Sequence, residues 1–278
     1  MTSKEKLISI GTTAAIAVIA ILAVFPLFSL FISSLRPSSD LMRNGITLTI
    51  PFEKLNLNNY AFIFTQAGNY WDWYINSLVI SAATIVLCLF FSSMVGYALA
   101  VYDFKGNRLI FILVLLILMI PFEILMLPLY KQMIGLRLVD TYPAVILPMI
   151  VAPVAVFFFR QYASGLPKDL MESARIDGCS EYGIFFRIMA PLMLPSFAAM
   201  AILQGLASWN NFLWPLVVLR SNIMFTLPVG LATLLTPYGN NYDVLIAGSV
   251  MTVLPVIILF LFFQRYFIEG LTVGGVKG

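Results

Sequence analysis

Charged residues divide this chain into long uncharged runs. The runs cover 7–35, 73–102, 109–122 continuing past Glu123 to 130, 141–159, 188–219 and 244–264. Roughly 20 apolar residues in a helix cross the hydrocarbon core of a bilayer. Lipid offers no partner to a backbone N–H or C=O, so a span of this kind satisfies its own groups as a helix. The alternating pattern of a membrane barrel is absent. The pattern predicts an all-α, polytopic membrane protein with six transmembrane helices, at about 8–34, 74–101, 109–130, 142–160, 188–218 and 244–265. The first run lacks the short core and small-residue cleavage site of a signal peptide, and reads as a retained anchor. The stretch 221–242 carries Pro228, Gly230, Pro237 and Gly239. Its apolar part, 225–235, is too short to cross, and reads as a re-entrant or interfacial loop.

Composition agrees with this picture. Of 278 residues, 61% are hydrophobic and 10% charged, and the mean hydropathy is +0.96. A soluble domain could not hide so much apolar surface. The net charge of +3 fits an uneven distribution about a membrane better than nucleic-acid binding. With no histidine, a His-dependent nucleophile, base or metal site is excluded. Cys88 and Cys179 cannot build a disulfide framework and are expected to be free, structural residues. Lys and Arg counts set the orientation. With the N-terminus inside, the inner segments hold Lys4, Lys6, Lys105, Arg108, Arg160, Lys168, Arg175, Arg187, Arg265 and Lys277. The outer ones hold Arg36, Arg43, Lys54, Lys131, Arg137 and Arg220, so the count is ten against six for both termini inside. Trp71 and Trp73 end the first outer loop, as in an interfacial aromatic belt.

The inner loop is the most informative stretch. Residues 160–191 read RQYASGLPKDLMESARIDGCSEYGIFFRIMAP. A plain helix–helix connection takes roughly 2–8 residues, so this longer, patterned one is expected to fold. Pro167 suits the first turn of a helix. Leu170, Met171 and Ala174 then share a face, with Lys168, Glu172 and Arg175 interleaved. Gly178 suits a left-handed helix stop, and Ser180 is placed to cap a second short helix running to Arg187. The expected product is a helix–turn–helix across the cytoplasmic face, spanning 161–187, of a shape suited to docking in a partner's groove.

Here a family resemblance becomes specific. Glu172-Ser173-Ala174, then Gly178, then Ile188-Met189-Ala190-Pro191 resembles the E-A-A…G…I-x-x-P loop of ABC-importer permeases. Ser173 replaces the usual second Ala, and Ala190 stands where Leu is common. Ser34-Leu35-Arg36-Pro37, Tyr102-Asp103-Phe104-Lys105-Gly106, Trp209-Asn210-Asn211, Gln264-Arg265-Tyr266-Phe267, Gly270-Leu271-Thr272 and the ending Gly274-Gly275-Val276-Lys277-Gly278 extend the resemblance. They look like the carbohydrate-importer subgroup typified by the maltose permease pair. Within it the chain is similar to arabino-oligosaccharide permease subunits of Gram-positive bacteria. The resemblance implies that the loop is a coupling helix seated in a cleft of an ATPase subunit, with Glu172, Ser173, Ala174, Asp177 and Gly178 at the contact. It also implies that Tyr238, Gly239, Asn240 and Asn241 reach into the cleft of a binding protein, and that the Gly-rich tail inserts between the ATPase subunits. The implied partners are a second related permease chain, two ATPase subunits, an extracellular sugar-binding lipoprotein and the lipid bilayer, in the plasma membrane of a bacterium.

Other residues admit two readings. Glu123 lies between Pro121 and Pro128 near the predicted outer end of its span. It is a proton relay if the chain is an ion-coupled carrier, and an interfacial residue otherwise. Trp209, Asn210 and Asn211 suit a sugar pathway, because amides match hydroxyls and aromatic rings stack on C–H faces. Interhelical hydrogen bonding accounts for them equally, and is the preferred account of Asn76 and Gln204. A secondary carrier would call for inverted repeats and buried ionisable groups, and an embedded enzyme for clustered catalytic residues. Neither pattern occurs. There is no G-x-x-x-x-G-K-[ST] phosphate loop, so no cofactor is expected in this chain, and ATP and Mg belong to a partner.

Overall fold

The computed structural model describes residues 3–37, 39–40, 52–65, 68–235 and 242–273, and no strand occurs among them. The chain divides into two compact units. One is Met1–Tyr70 with Leu231–Leu254, the other Trp71–Gly230 with Pro255–Gly278.

In the first unit, α1 (Ser3–Ser34) is a long apolar rod. The most apolar window within its stretch Ile8–Ser34 has a mean hydropathy of 2.8, and none of that window is buried. One of its exposed hydroxyls turns back on the helix: Thr12 Oγ1 donates to the carbonyls of Ile8 and Ser9 at 3.0 and 2.9 Å. Such back-bonding lets a hydroxyl sit in lipid without a stranded donor. The end of α1 is tied by a segment that follows it, including α2 (Asn58–Thr65). The Asn59 amide donates to the carbonyls of Ser34 and Arg36, both at 2.8 Å, and Ser34 Oγ pairs with Tyr60 Oη at 2.7 Å. These bonds satisfy carbonyls that a helix end leaves unpaired. Buried Arg36 pairs with Asp40, which also accepts from Lys54 Nζ at 2.7 Å.

The second unit is organised around α3 (Tyr70–Val101), of which its apolar window is 33% buried. Ser77, Ser81, Thr84, Ser92 and Ser93 are all buried along it. Small residues of this kind let helices approach closely in a membrane. After α3 come α4 (Asn107–Leu118) and α5 (Phe122–Gly135), which meet at 104°. The stretch expected as one rod at 109–130 is therefore broken at 119–121, where Pro121 denies the next turn an N–H. Then α6 (Tyr142–Ile146) leads through a 3-10 turn into α7 (Pro153–Ser164), bent by 40°. At Gly96 of α3 an added Cβ would lie 2.7 Å from Phe159 Cβ and 2.8 Å from Val156 O. That contact brings the two backbones together. Beyond α7, α8 (Asp169–Ile176) and α9 (Glu181–Ile184) form the inner loop. A π-helical segment, Phe185–Met189, and α10 (Ala190–Leu192) follow. The chain then bends by 76° into α11 (Leu194–Trp209). The elements end with α12 (Leu213–Val218), α13 (Leu227–Thr233) and α14 (Tyr242–Val273). Among the described residues, three helices are long and apolar enough to cross a membrane alone, and up to six spans result if each of three bent pairs counts as one.

The stretch after α12 does not cross. Residues 222–230 are stitched along α3 instead. Asn76 Nδ2 donates to Ile223 O and Phe225 O at 2.7 and 2.9 Å, and Asn76 Oδ1 accepts from Tyr142 Oη at 2.6 Å. Trp73 Nε1 donates to Asn222 O at 2.8 Å, and Ser77 Oγ accepts from Leu227 N at 2.7 Å. Asn76 thus spends its amide on packing, as its structural reading expects.

Candidate functional site

The inner loop is built by local rules. α8 ends in a Schellman motif. Gly178 has φ +78°, a left-handed conformation that favours glycine. Its N–H donates to Arg175 O at 3.1 Å, and the N–H of Cys179 donates to Ala174 O at 3.0 Å. Ser180 caps α9, with Oγ accepting from Gly183 N at 3.2 Å. Both ends of the turn are therefore closed by their own residues. One boundary differs from expectation. Pro167 stands two residues ahead of α8, not in its first turn. The helix opens on Asp169, whose charge suits the N-terminal end of the helix dipole.

The loop has an inner and an outer face. Met171 and Ala174 are buried, in one core cluster with Tyr97, Phe159, Ile184, Phe185 and Met189. Leu170, expected on that same face, is instead exposed, since a residue next to Met171 points about 100° away from it around a helix. Glu172, Ser173, Asp177 and Gly178 all lie on the exposed side, whereas Ala174 faces the core. Leu170 is joined on the exposed side by Ile176, 87% exposed, and Tyr182, 72%. Cys179, expected to pack as a small hydrophobe, is exposed, and Cys88 is buried. Apolar groups beside charged ones make up this exposed side.

Sequence reading missed one part of this loop. Arg175 and Glu181, six residues apart across the Gly178 turn, form a bidentate pair at 2.7 and 3.1 Å. Tyr102 Oη, just past α3, donates to Glu181 Oε2 at 2.7 Å. The Arg175 guanidinium and the Tyr102 hydroxyl hold the Glu181 carboxyl below the ordinary carboxylate range. The opposite charges on the two sides of the turn were the available signal.

The pathway candidates scatter. Trp209 is buried at the end of α11, its ring edge-on to Tyr74 at 5.9 Å. Both line a 380 Å³ cavity with Leu78, Ser81, Gly205 and Leu259, whose walls are nearly all apolar. Asn210 is exposed and Asn211 half-buried beyond the helix end, and neither lines that cavity. Glu123 sits exposed in the first turn of α5, where a negative charge is favoured. Tyr238, Gly239, Asn240 and Asn241, and the Gly-rich tail from 274, lie outside the described residues. A second loop carries strain: Arg137 and Asp140 have φ +57° and +65°. Burial pushes the Asp140 carboxyl up, but hydrogen bonds from Arg220 N and from the Ser221 hydroxyl and N–H outweigh it and hold it low.

Residues 89–273, which include the whole inner loop, match the family described as the binding-protein-dependent transport system inner membrane component. The chain belongs to this family. It is an all-α, multi-pass membrane permease of a binding-protein-dependent transport system, and the ion-coupled alternative falls away. It is 74% identical over 247 residues to the arabinooligosaccharides transport system permease protein AraQ of Halalkalibacterium halodurans, covering 89% of this chain and 88% of the relative. It is 66% identical to the protein of the same name from Bacillus subtilis, with the same coverage. It is 33% identical to the lactose transport system permease protein LacG of Rhizobium radiobacter, over 88% of each chain. In fold, this inner membrane component is similar to a chain in the crystal structure of a bacterial ABC transporter involved in the import of the acidic polysaccharide alginate. The TM-score is 0.82 at 21% identity, over 96% of this chain and 99% of that one.

Proposed function

We propose that this chain is one permease half of an ATP-driven importer of arabinose-containing oligosaccharides. Its similarity to two permeases named for arabinooligosaccharides is the observation that carries the sugar. The inner loop supports the mode of drive. A pre-closed helix–turn–helix, with Ile176 and Tyr182 exposed among charges, is a docking element for an ATPase cleft. Glu172, Ser173, Asp177 and Gly178 meet that cleft, and Ala174 seats the loop against the core. This chain carries no phosphate loop, so ATP and Mg are bound by separate ATPase subunits. The complex comprises a second related permease, two ATPase subunits and an extracellular sugar-binding lipoprotein, with both termini of this chain cytoplasmic.

The cycle is alternating access. ATP closes the ATPase dimer, the coupling helices move with it, and the spans rock outward-open. A loaded binding protein delivers sugar to the cavity, helped by Tyr238, Gly239, Asn240 and Asn241. Trp209 supplies an aromatic wall, and Asn210 and Asn211 polar contacts near it. Hydrolysis resets the inward-open state.

Purification of the complex and assay of its ATPase tests this reading. Arabinotriose with the binding protein is expected to stimulate hydrolysis and uptake together. Uptake that follows a proton gradient with no copurifying ATPase would sink it. Deletion of Tyr238–Asn241 is expected to lower binding-protein-stimulated hydrolysis, and intact stimulation would remove that loop from the mechanism.

A further inference from the structure

Chain continuity joins the inner loop to α7 on one side and to α10 and α11 on the other. It does not join the loop to α3, the helix around which the second unit packs. Any push on α3 from the loop passes through side chains, and the structure has a compact set of them. Glu181 accepts from Arg175 Nε and NH2 at 2.7 and 3.1 Å and from Tyr102 Oη at 2.7 Å. Alongside, Tyr97 Oη donates to Met171 Sδ at 3.4 Å. The Tyr97 ring lies 5.0 Å from Phe185 and edge-on to Tyr102 at 5.8 Å. Both limbs of the loop therefore meet one end of α3, α8 through Met171 and α9 through Glu181, with Phe185 of the π-helical segment beside it.

We propose that Tyr102, Glu181 and Arg175 form a clasp that transmits movement of the inner loop to α3, with Tyr102 as a positioning residue for energy coupling. An exposed ion pair adds little stability. What the bidentate pair and its tyrosine do supply is orientation. Glu181 fixes the angle between α8 and α9 and the angle of both to α3. A 300 Å³ cavity bordered by Met94, Tyr97, Ala98, Tyr102, Tyr182 and Phe185 adjoins the clasp. It leaves open space beside the half-buried Tyr102, whose hydroxyl is held by Glu181. This inference rests on the coupling role proposed above for the loop.

The test uses the full complex in proteoliposomes, with arabinotriose as the transported probe. Wild type, Tyr102→Phe, Glu181→Gln and the double variant are compared for basal ATPase, uptake per ATP hydrolysed and amount of assembled complex. Each single variant is expected to lower uptake per ATP by about threefold or more, with basal ATPase and assembly within about twofold of wild type. The double variant is expected to be no worse than the worse single one, because residues of one network do not add. Unchanged uptake per ATP in Tyr102→Phe, a fall in assembly that alone accounts for lost uptake, or additive losses in the double variant would each overturn the clasp. A wild-type complex whose uptake needs no ATP would overturn the importer reading and the clasp with it.

Discussion

The helices α1 and α3 are both 32 residues long and strongly apolar, yet they live in different surroundings. The apolar window of α1 buries nothing, and that of α3 is 33% buried. Their mean hydropathies, 2.8 and 2.4, barely separate them. What separates them is where their small and polar side chains lie, since both helices carry many. α3 carries Asn76, Ser77, Ser81, Thr84, Ser92, Ser93 and Gly96 on its packed faces, whereas among the described side chains of α1 the buried polar ones are Ser33 and Ser34 at its end. Apolar character decides that a helix enters lipid. It does not decide what the helix packs against, because lipid tails and leucine are alike as solvents. Close approach and satisfied hydrogen bonds decide that.

Substitutions sharpen the contrast, and the largest effect belongs to Gly96. A leucine there drives Cβ into Phe159 Cβ and the backbone of Val156 and Arg160. Gly96→Leu is expected to cost about 3 kcal/mol or more, read as a fall in the detergent-unfolding midpoint and in assembled protein. Next comes Asn76→Leu, which leaves two carbonyls and the Tyr142 hydroxyl without their partner. A loss of about 2 kcal/mol is expected in the same unfolding assay. A stability equal to wild type would mean that residues 222–230 are not held by Asn76. Gly178 tests conformation in place of space. Nothing lies within 4 Å of its added Cβ, but its φ is +78°. Gly178→Val is expected to cost about 1–2 kcal/mol and to uncouple hydrolysis from transport, and native transport per ATP would remove its assigned role. The smallest effect is the control on α1. Gly11 is also open, with ordinary helical φ, so Gly11→Leu is expected to cost nothing and to gain at most about 0.5–1 kcal/mol through helix propensity. A large loss there would break the comparison, since it would mean that α1 has a packed face after all.

The parts legible in the sequence were those with local causes. The apolar runs marked the helices because backbone satisfaction in lipid is a local demand. Gly178 and Ser180 marked the ends of the inner turn because each acts on groups within a few residues of itself. The bend at 119–121 had a visible signal in Pro121, overridden by the unbroken apolar run around it. What stayed hidden was long-range. Asn76 meets carbonyls about 150 positions away, and Tyr102 meets Glu181 across 79. No window of sequence contains both members of such a pair. Leu170 was misplaced for a different reason: a helix of 8 residues is too short for periodicity to fix which of two neighbours faces inward.

The π-helical segment Phe185–Met189 carries one further consequence. Its hydrogen bonds close over one more residue than those of an α-helix, so the chain holds a spare residue between the inner loop and α11. Removing that residue would restore regular winding and turn everything on the loop side by about 100° about the helix axis. Met171 and Ala174 would then rotate off the core, and Ile176 would no longer face out. The segment acts as a keyway: it sets the angular phase at which the exposed side of the loop is presented. A one-residue deletion here would mis-aim that surface while leaving every residue that composes it intact.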